Sequence, residues 1–320
     1  MSVGPREHIA VLRNPSAGRG RHRDEVAAAL DVLRGTGREV RLLDADTTAE
    51  ASRACREAVA GRAAAVVVVG GDGTVHLAIQ ALAGTGVPLG VLPAGTGNDF
   101  ASETVASGTS AGVSSGGSAV ALAAAGIVDA LGAGRSRPVD LARCTGPDGY
   151  DEWFAAVFAA GFDAIVNERA NQMRWPRGPR RYDIAILAEL TRLKARRYLI
   201  AMDAPDGVDG QRTKIEQDAI LVAVGNTASY GGGMRMCPAA DATDGLLDIV
   251  VGARMSRATL VRLQPRLYHG THVGHPLVST YRARSVEIYA DGIVGYADGE
   301  RACALPVTIT ADPGALLLLA

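Results

Sequence analysis

The sequence of 320 residues contains little lysine, little cysteine and no long apolar run. Its lysines are Lys194 and Lys214, so arginine supplies almost all of the positive charge. The four cysteines form no C-x-x-C pair, which argues against a cysteine-based zinc site and favours a reducing compartment. No segment approaches the roughly 18 apolar residues of a membrane span, and the first residues lack the apolar run of a signal peptide. We therefore expect a cytoplasmic protein.

The charge balance and the absence of two common phosphate-binding motifs argue against further classes of protein. There are 33 Lys+Arg residues against 34 Asp+Glu, a formal net charge of -1. A general nucleic-acid binder normally shows a basic excess, so we expect no nucleic-acid partner. G-x-x-x-x-G-K-[ST] and the protein-kinase signatures are absent, and the first turn lacks G-x-G-x-x-G. Neither a P-loop enzyme nor a standard dinucleotide dehydrogenase is indicated.

Strand and helix signals alternate through the first hundred residues. Apolar runs predict strands at 9–13, 40–43, 63–69 and 87–92, and helical periodicity predicts helices at 24–33, 48–60 and 75–82. Thr47 and Glu50 form a capping box ahead of the second helix. Because the third run is apolar on both faces, we expect a mostly parallel sheet between helices, a three-layer α/β domain.

The pattern changes after residue 137. A Ser/Gly-rich segment, 108–118, predicts a loop, and a helix is expected at 120–130. Beyond it, strands are predicted at 153–159, 198–202, 219–224, 247–251 and 285–289, interrupted by one helix at 183–194. We expect an α/β domain over 1–137 and a mostly antiparallel β-domain over 138–305.

A glycine-rich loop, Gly70-Gly71-Asp72-Gly73-Thr74, directly follows the predicted buried strand. Three glycines allow backbone N–H groups to point into one concavity, and the following helix adds the positive end of its dipole. An ordinary tight turn would explain one or two of these glycines. The position at the carboxyl end of a strand, where open α/β sheets bind ligands, favours phosphate binding.

Two more polar loops belong to the same edge of the predicted sheet. Residues 92–100 follow the next strand and contribute Thr96 and Asp99, and residues 14–18 follow the first strand. Three such loops side by side predict a nucleotide site.

Taken together, these motifs resemble the diacylglycerol kinase catalytic-domain superfamily, which includes bacterial lipid kinases and sphingosine kinases. The resemblance extends over nearly the whole chain. Its further matches are Pro138-Val139-Asp140, Ala160-Gly161-Phe162-Asp163-Ala164, Gly225-Asn226, Tyr230-Gly231-Gly232-Gly233, the segment 238–248 and Asp298-Gly299-Glu300. It implies a fold similar to NAD kinase and diacylglycerol kinase: an α/β domain, a β-sandwich domain, and a tail over 306–320 that returns to the first domain.

The resemblance also implies roles for individual residues. The nucleotide-binding positions are Asn14, Pro15, Ser16, Ala17, Gly18, Thr47, Gly70, Gly71, Asp72, Gly73, Thr74, Val75, His76 and Thr96. Asp72, Asp99 and Asp140 match the acidic network around the phosphates and the catalytic Mg²⁺. Glu300 matches the proton acceptor, with Asp298 beside it. Asp241, Asp244 and the backbone of Leu246 match a second, structural Mg²⁺ site, and the alternative for that turn is a solvated hairpin.

The implied activity is an ATP- and Mg²⁺-dependent lipid kinase that converts diacylglycerol to phosphatidic acid. Phosphatidylglycerol or a sphingosine-like base is an alternative acceptor, and an NAD kinase or a catalytically silent nucleotide-binding regulator is an alternative protein. We expect a lipid substrate at the membrane surface and transient contact with the inner face of the membrane. The oligomeric state stays open, a homodimer included.

Two basic features leave alternatives open. The segment 169–197 contains nine basic residues and Trp175. It could dock on an anionic membrane, or it could be a solvated helix flank whose arginines pair with acidic neighbours such as Asp183 and Glu189. His269, His272 and His275 could hold a metal, but Gly270 and Gly274 interrupt a helical face, which favours packing or surface histidines in a loop before a strand.

Overall fold

The computed structural model describes residues 8–13, 23–43, 45, 47–95, 97–104, 117–173, 175, 180–203 and 212–319. The chain divides into two compact units, Met1–Leu141 with Pro313–Ala320, and Ala142–Asp312. The two boundaries lie a few residues after the expected positions at 138 and 306.

The first unit alternates strands and helices. Its elements are β1 (His8–Arg13), α1 (Arg23–Arg34), β2 (Glu39–Leu43), α2 (Thr48–Ala60), β3 (Ala65–Gly70), α3 (Asp72–Leu82), β4 (Leu89–Pro93), α4 (Asp99–Thr104), α5 (Gly117–Gly132), the start of β5 (Arg137–Thr145) and the end of β15 (Val307–Leu318). Strands β2, β1, β3 and β4 lie side by side in that order and are all parallel, and Leu318 of β15 pairs in parallel with Leu89 of β4. The predicted parallel sheet is therefore confirmed.

The core of this unit explains the parallel arrangement. All six residues of β3 are buried, as a central strand covered on both faces requires. Val67 and Val69 pack with apolar side chains of α1 and α5 on one face. Val66 and Val68 on the other face are also fully buried. The capping box at the start of α2 is present, with Thr47 as the N-cap.

The glycine-rich loop is shorter than the sequence indicates. The structure begins α3 at Asp72, so Asp72, Gly73 and Thr74 form the first helical turn and are not part of a turn ahead of it. The first N–H groups of a helix have no intrahelical partner, so Gly73 in this turn weakens no helical hydrogen bond of its own N–H.

The second unit is built on antiparallel strands. Its further elements are β6 (Asp151–Phe154), β7 (Val157–Gly161), α6 (Phe162–Gln172), α7 (Arg180–Thr191), β8 (Arg196–Asp203), β9 (Arg212–Gly225), β10 (Leu247–Ala253), α8 (Arg257–Tyr268), β11 (Val278–Ala283), β12 (Ser285–Tyr289), β13 (Val294–Ala297) and β14 (Glu300–Ala304). The long strand β9 pairs with three other strands. Its first half pairs with β8, and its second half pairs with β7 on one side and β10 on the other.

The expectation of one helix in the second unit is wrong. Helices α6 and α8 are present in addition to α7. The expected strand over 153–159 is two strands, β6 and β7, separated at Ala155 and Ala156. Within the described ranges, no helix is both long and apolar enough to cross a bilayer.

Candidate active site

Two glycine loops touch at the carboxyl edge of the parallel sheet. Strands β3 and β4 are neighbours, and each is followed by one of the loops. A Cβ atom at Gly95 would lie 2.4 Å from Gly71 Cα and 2.6 Å from Gly71 N, and a Cβ at Gly71 would lie 2.5 Å from the Gly97 carbonyl oxygen. The Ala94 N–H also donates to the Gly70 carbonyl at 3.1 Å. The loops therefore pack backbone against backbone, which only glycine permits.

Asp72 connects the two loops. Its Oδ2 accepts a hydrogen bond from the Asp99 N–H at 3.2 Å and its Oδ1 accepts one from the Phe100 N–H at 3.1 Å. The carboxylate thus satisfies two of the N–H groups that the start of α4 leaves without helical partners. A carboxylate at this end of a helix is also stabilised by the helix dipole. Asp72 therefore holds α4 against the first glycine loop.

Asn98, which the sequence analysis did not single out, fixes the second loop. Its Oδ1 accepts from the Gly95 N–H and its Nδ2 donates to the Gly95 carbonyl, both at 3.2 Å. These two bonds hold a loop of small residues in one conformation. Asn is common in such local side-chain-to-backbone turns, and this property is the signal that could have identified it.

Most of the other predicted nucleotide-binding residues that the structure describes in the first unit are buried or already hydrogen-bonded. Thr74, Val75, His76, Asp99 and Asp140 are all buried, and Val75 could contribute only its backbone. Asp140 Oδ1 accepts from the Gly314 N–H at 2.7 Å, which ties β5 to β15. The Thr47 hydroxyl accepts from the Glu50 N–H at 3.2 Å and is used by the helix cap. Asn14, Pro15, Ser16, Ala17, Gly18 and Thr96 lie outside the described residues, as does most of the predicted loop 108–118.

In the second unit, Asp298-Gly299 forms the turn of the β13–β14 hairpin. Both residues have positive φ, 51° for Asp298 and 83° for Gly299, as the two central residues of a type I′ turn do. Asp298 Oδ2 accepts from the Ala155 N–H at 2.9 Å and Oδ1 from the Ala156 N–H at 2.8 Å. The carboxylate therefore anchors the hairpin to the link between β6 and β7.

Glu300 is the next residue and has a different environment. It is exposed, and its carboxylate has no hydrogen-bond or ion-pair partner among the residues that the structure describes. Its backbone is fixed by pairing with Ala297 across the hairpin. An uncommitted carboxylate on a fixed backbone is suited to accept a proton.

Glu168 of α6, another residue not singled out from the sequence, supports the same hairpin. Its Oε2 accepts from the Tyr296 hydroxyl and from Arg301 Nε, the latter at 3.2 Å. The Tyr296 hydrogen bond, together with those from Gln172 and Arg301, lowers the pKa of Glu168 against the effect of burial. The carboxylate therefore stays ionised and binds both residues that flank the segment 297–300.

Asp163 and Tyr230, from two of the family motifs, form a hydrogen-bonded pair in the second unit. The Tyr230 hydroxyl donates to Asp163 Oδ2 at 3.0 Å, and the Ala164 N–H donates to Asp163 Oδ1 at 3.0 Å. Desolvation raises the pKa of Asp163 to about 6, although both hydrogen bonds act to lower it. The carboxyl group thus holds its proton more tightly than an ordinary aspartic acid.

The acidic turn at 241–248 is internally bonded. Asp241 Oδ1 accepts from the N–H and the hydroxyl of Thr243, at 3.0 and 2.7 Å. Asp244 Oδ1 accepts from the Leu246 N–H at 2.9 Å, while its Oδ2 pairs with Arg282, which also binds Asp248 at 3.3 Å. A metal at this turn would share Asp244 with a guanidinium.

The donor atoms of this turn nevertheless suit Mg²⁺. Asp241 Oδ2 and the carbonyl of Leu246 are hard oxygen ligands, and Mg²⁺ commonly binds one or two carboxylates and keeps several waters. Such a site needs no cluster of three or more ligating side chains. Among the described residues, no group of three or more His, Cys, Asp or Glu side chains is arranged to hold a metal.

The three histidines lie where a loop precedes β11, as predicted. His272 is buried, and its Nε2 contacts the Met236 carbonyl oxygen at 3.1 Å. Desolvation lowers the pKa of His272, so it is a neutral packing residue at physiological pH. The helix α8 that precedes this loop was not predicted.

Comparison with known proteins adds two family matches. Residues 8–144 match the family described as diacylglycerol kinase catalytic domain, and residues 156–320 match the YegS C-terminal NAD kinase beta sandwich-like domain. These matches confirm the predicted fold class, an α/β domain followed by a β-sandwich domain.

Individual relatives cover most of the chain. The diacylglycerol kinase of Mycobacterium tuberculosis is 41% identical over 311 residues, 97% of this chain and 94% of its own. A Klebsiella pneumoniae protein named "Probable lipid kinase YegS-like" is 30% identical over 236 residues, 72% of this chain and 70% of its own. A solved structure described as a diacylglycerol kinase from Bacillus anthracis str. Sterne has a TM-score of 0.67 at 22% identity, covering 98% of this chain and 96% of its own.

Proposed function

The chain belongs to the diacylglycerol kinase catalytic-domain family, and on that premise we propose that it is a lipid kinase that transfers the γ-phosphate of ATP to diacylglycerol, giving phosphatidic acid. The name of the relative that is 41% identical over nearly the full length supports this acceptor. The enzyme would act from the cytoplasm at the inner face of the membrane, where its acceptor lies.

ATP would bind at the glycine loops of the first unit. Neither lysine of the chain lies in these loops, so the phosphates must be held by other groups. Gly71, the N-cap of α3, offers no side chain to satisfy the N–H groups of the first helical turn. Backbone N–H groups at a helix N-terminus bind phosphate well. The contact between Gly71 and Gly95 would hold the two loops ready for the nucleotide.

Mg²⁺, when bound with the nucleotide, would offset the charge that develops on the transferred phosphoryl group. Asp72, Asp99 and Asp140 are the carboxylates of the first unit that the resemblance assigns to it. Asp72 has a second role that its hydrogen bonds support, because it fixes the start of α4. Asp241, Asp244 and Leu246 would hold the second, structural ion of the other unit.

The observation that carries the catalytic assignment is the uncommitted carboxylate of Glu300. The lipid hydroxyl oxygen would form a bond to the γ-phosphorus as the bond to the leaving ADP oxygen breaks. The hydroxyl proton would pass to the Glu300 carboxylate. Asp298 cannot do this equally well, since both of its oxygens accept backbone N–H groups. We therefore assign proton acceptance to Glu300 and positioning to Asp298.

Glu300→Gln tests this assignment. We expect phosphate transfer from labelled ATP to dioleoylglycerol in mixed micelles to fall by about a thousandfold, the size of a general-base contribution. ATP affinity and the melting temperature should not change, because the side chain is exposed and forms no described contact. Glu216→Gln, another exposed glutamate of the second unit, is the control and should retain full activity.

Two results would contradict the proposal. Full turnover by Glu300→Gln would remove Glu300 from the mechanism. Formation of NADP from NAD, with no labelled lipid product, would replace the lipid kinase by an NAD kinase.

A further inference from the structure

Helix α7 exposes an apolar face that a surface helix normally buries. Ile184, Ile186 and Leu187 are exposed, Leu187 to 65%. The opposite face carries the buried Ala185 and Glu189, and it packs against α6, where Ala185 joins the apolar cluster around Val166 and Ala170. An amphipathic helix of a globular protein shows the reverse pattern, with its apolar side inward. An exposed apolar face of this kind indicates a binding surface.

Over 184–191, α7 places no charged side chain on that face. Glu189 is the charged residue of the stretch 184–191, and it pairs with Arg169 of α6 and, at 3.9 Å, with Arg192. This confirms one part of the alternative raised from the sequence, because these two arginines do have an acidic partner. Over 184–191, that face is left with aliphatic side chains and Thr191.

A basic concavity opens at the end of the same helix. Its volume is about 730 Å³, and its lining includes Lys194, Arg254 and Arg257. Lys194 and Arg254 have no carboxylate partner among the residues that the structure describes. Asp218, also in the lining, pairs with Arg197 at 3.7 Å. The concavity therefore keeps an excess of positive charge.

The concavity adjoins the C-terminal end of α7. The Arg257 guanidinium donates to the carbonyl of Thr191, the last residue of α7, and Lys194 follows that residue closely in the chain. Trp175, which precedes α7, is 81% exposed. Aliphatic and Trp side chains beside basic groups match the acyl boundary and the anionic headgroups of a bilayer.

We propose that the outward face of α7 and the basic concavity lined by Lys194, Arg254 and Arg257 form the surface by which this protein docks on a bilayer containing anionic phospholipids. The proposal rests on the proposed lipid kinase function for its biological setting. Vesicle binding itself needs neither ATP nor turnover, so it can fail or succeed independently of the assigned reaction.

The test is flotation of the full chain with two kinds of vesicle, phosphatidylcholine alone and phosphatidylcholine mixed with phosphatidylglycerol. The wild-type protein should float with the mixed vesicles and much less with the neutral ones. Lys194→Gln with Arg254→Gln should weaken binding to the mixed vesicles by on the order of tenfold. Ile184→Gln with Leu187→Gln should weaken it by about tenfold as well.

The chain provides matched controls for both changes. Lys214, the other lysine, is exposed on β9, so Lys214→Gln removes one of the two charges elsewhere in the second unit. Leu122 of α5 is 65% exposed, like Leu187, so Leu122→Gln matches the Leu187 part of the second change in the first unit. Both should float like the wild type. All variants should melt like the wild type and phosphorylate a water-soluble, short-chain diacylglycerol at its rate.

Three outcomes would overturn the proposal. One is equal flotation of all variants, and another is equal flotation with neutral and anionic vesicles. The third is a wild-type dimer in sedimentation velocity that Ile184→Gln with Leu187→Gln dissociates, without flotation, which would assign the face to a second copy of the chain. If flotation behaves as expected but no lipid is phosphorylated, the docking surface stands and the assigned reaction does not.

Discussion

Replacing Gly95 by alanine tests whether the two glycine loops touch as the structure shows. The new Cβ would lie 2.4 Å from Gly71 Cα, 2.6 Å from Gly71 N and 2.9 Å from the Gly97 oxygen. Carbon atoms in contact normally lie about 3.5–4.0 Å apart, so one loop must move by about 1 Å. All three atoms belong to the backbone and cannot rotate away. We expect the free energy of unfolding to fall by about 1–3 kcal/mol, as in overpacked cores.

The displacement should affect catalysis more than stability. A shift of about 1 Å in positioning groups can lower turnover by about a hundredfold. Urea unfolding and kcat/KM for lipid phosphorylation measure the two effects. Gly97→Ala is a graded comparison, because its Cβ would meet only Asp72 Oδ2, at 3.0 Å. Gly126→Ala in α5 is the control: nothing lies within 4 Å of its Cβ, and alanine should stabilise the helix by about 0.5–1 kcal/mol. Gly95→Ala with wild-type stability and turnover would refute the contact.

Two further predictions concern carboxylates of the second unit. Asn tolerates positive φ, but Asp298→Asn removes one of the two oxygens that accept backbone N–H groups, so the free energy of unfolding in urea should fall by about 1–3 kcal/mol. Asp148→Asn, at φ 57°, is the control and should leave the free energy of unfolding unchanged. Equal losses in both variants would refute the role of Asp298. For Asp163, the folded pKa of about 6 lies above the ordinary value of 3.8, so the folded state binds its proton more tightly and stability falls as pH rises between them. Asp163→Asn lacks this loss, so the free energy of unfolding of the variant minus that of the wild type should grow by about 2 kcal/mol from about pH 4 to 7. Parallel profiles of the two proteins would refute the shift.

The strands and helices of the first unit could be predicted because their periodicity is strong. Strand β3 is a continuous apolar run between glycines, and α2 carries its capping box in adjacent sequence. Helices α6 and α8 gave no comparable signal. The buried residues of α6 are mostly small, Ala164, Val166 and Ala170, and α8 buries Leu263 and contains Pro265. A proline inside a helix normally ends it, so periodicity could not identify α8.

Some of the site residues could likewise be predicted from the sequence, and others could not. The glycine loops were visible in the sequence because their residue types are unusual and contiguous. The partners of the carboxylates were not, since Asp298 binds the N–H groups of Ala155 and Ala156 across more than a hundred residues. Glu168 was missed for the same reason, because it meets Tyr296 and Arg301 only after folding. Periodicity and motifs carry no information on such long-range pairs.

Two consecutive side chains of α6 bind different parts of the second unit, Glu168 the β13–β14 hairpin and Arg169 the helix α7. Neither ion pair can break without loosening one side of the same helix. In terms of amide hydrogen exchange, the hairpin, α6 and α7 should therefore open as one cooperative unit, although more than a hundred residues separate α7 from the hairpin. The amides of the segment that carries Glu300 would then exchange at the same rate-limiting opening as those of the helix α6 that supports it.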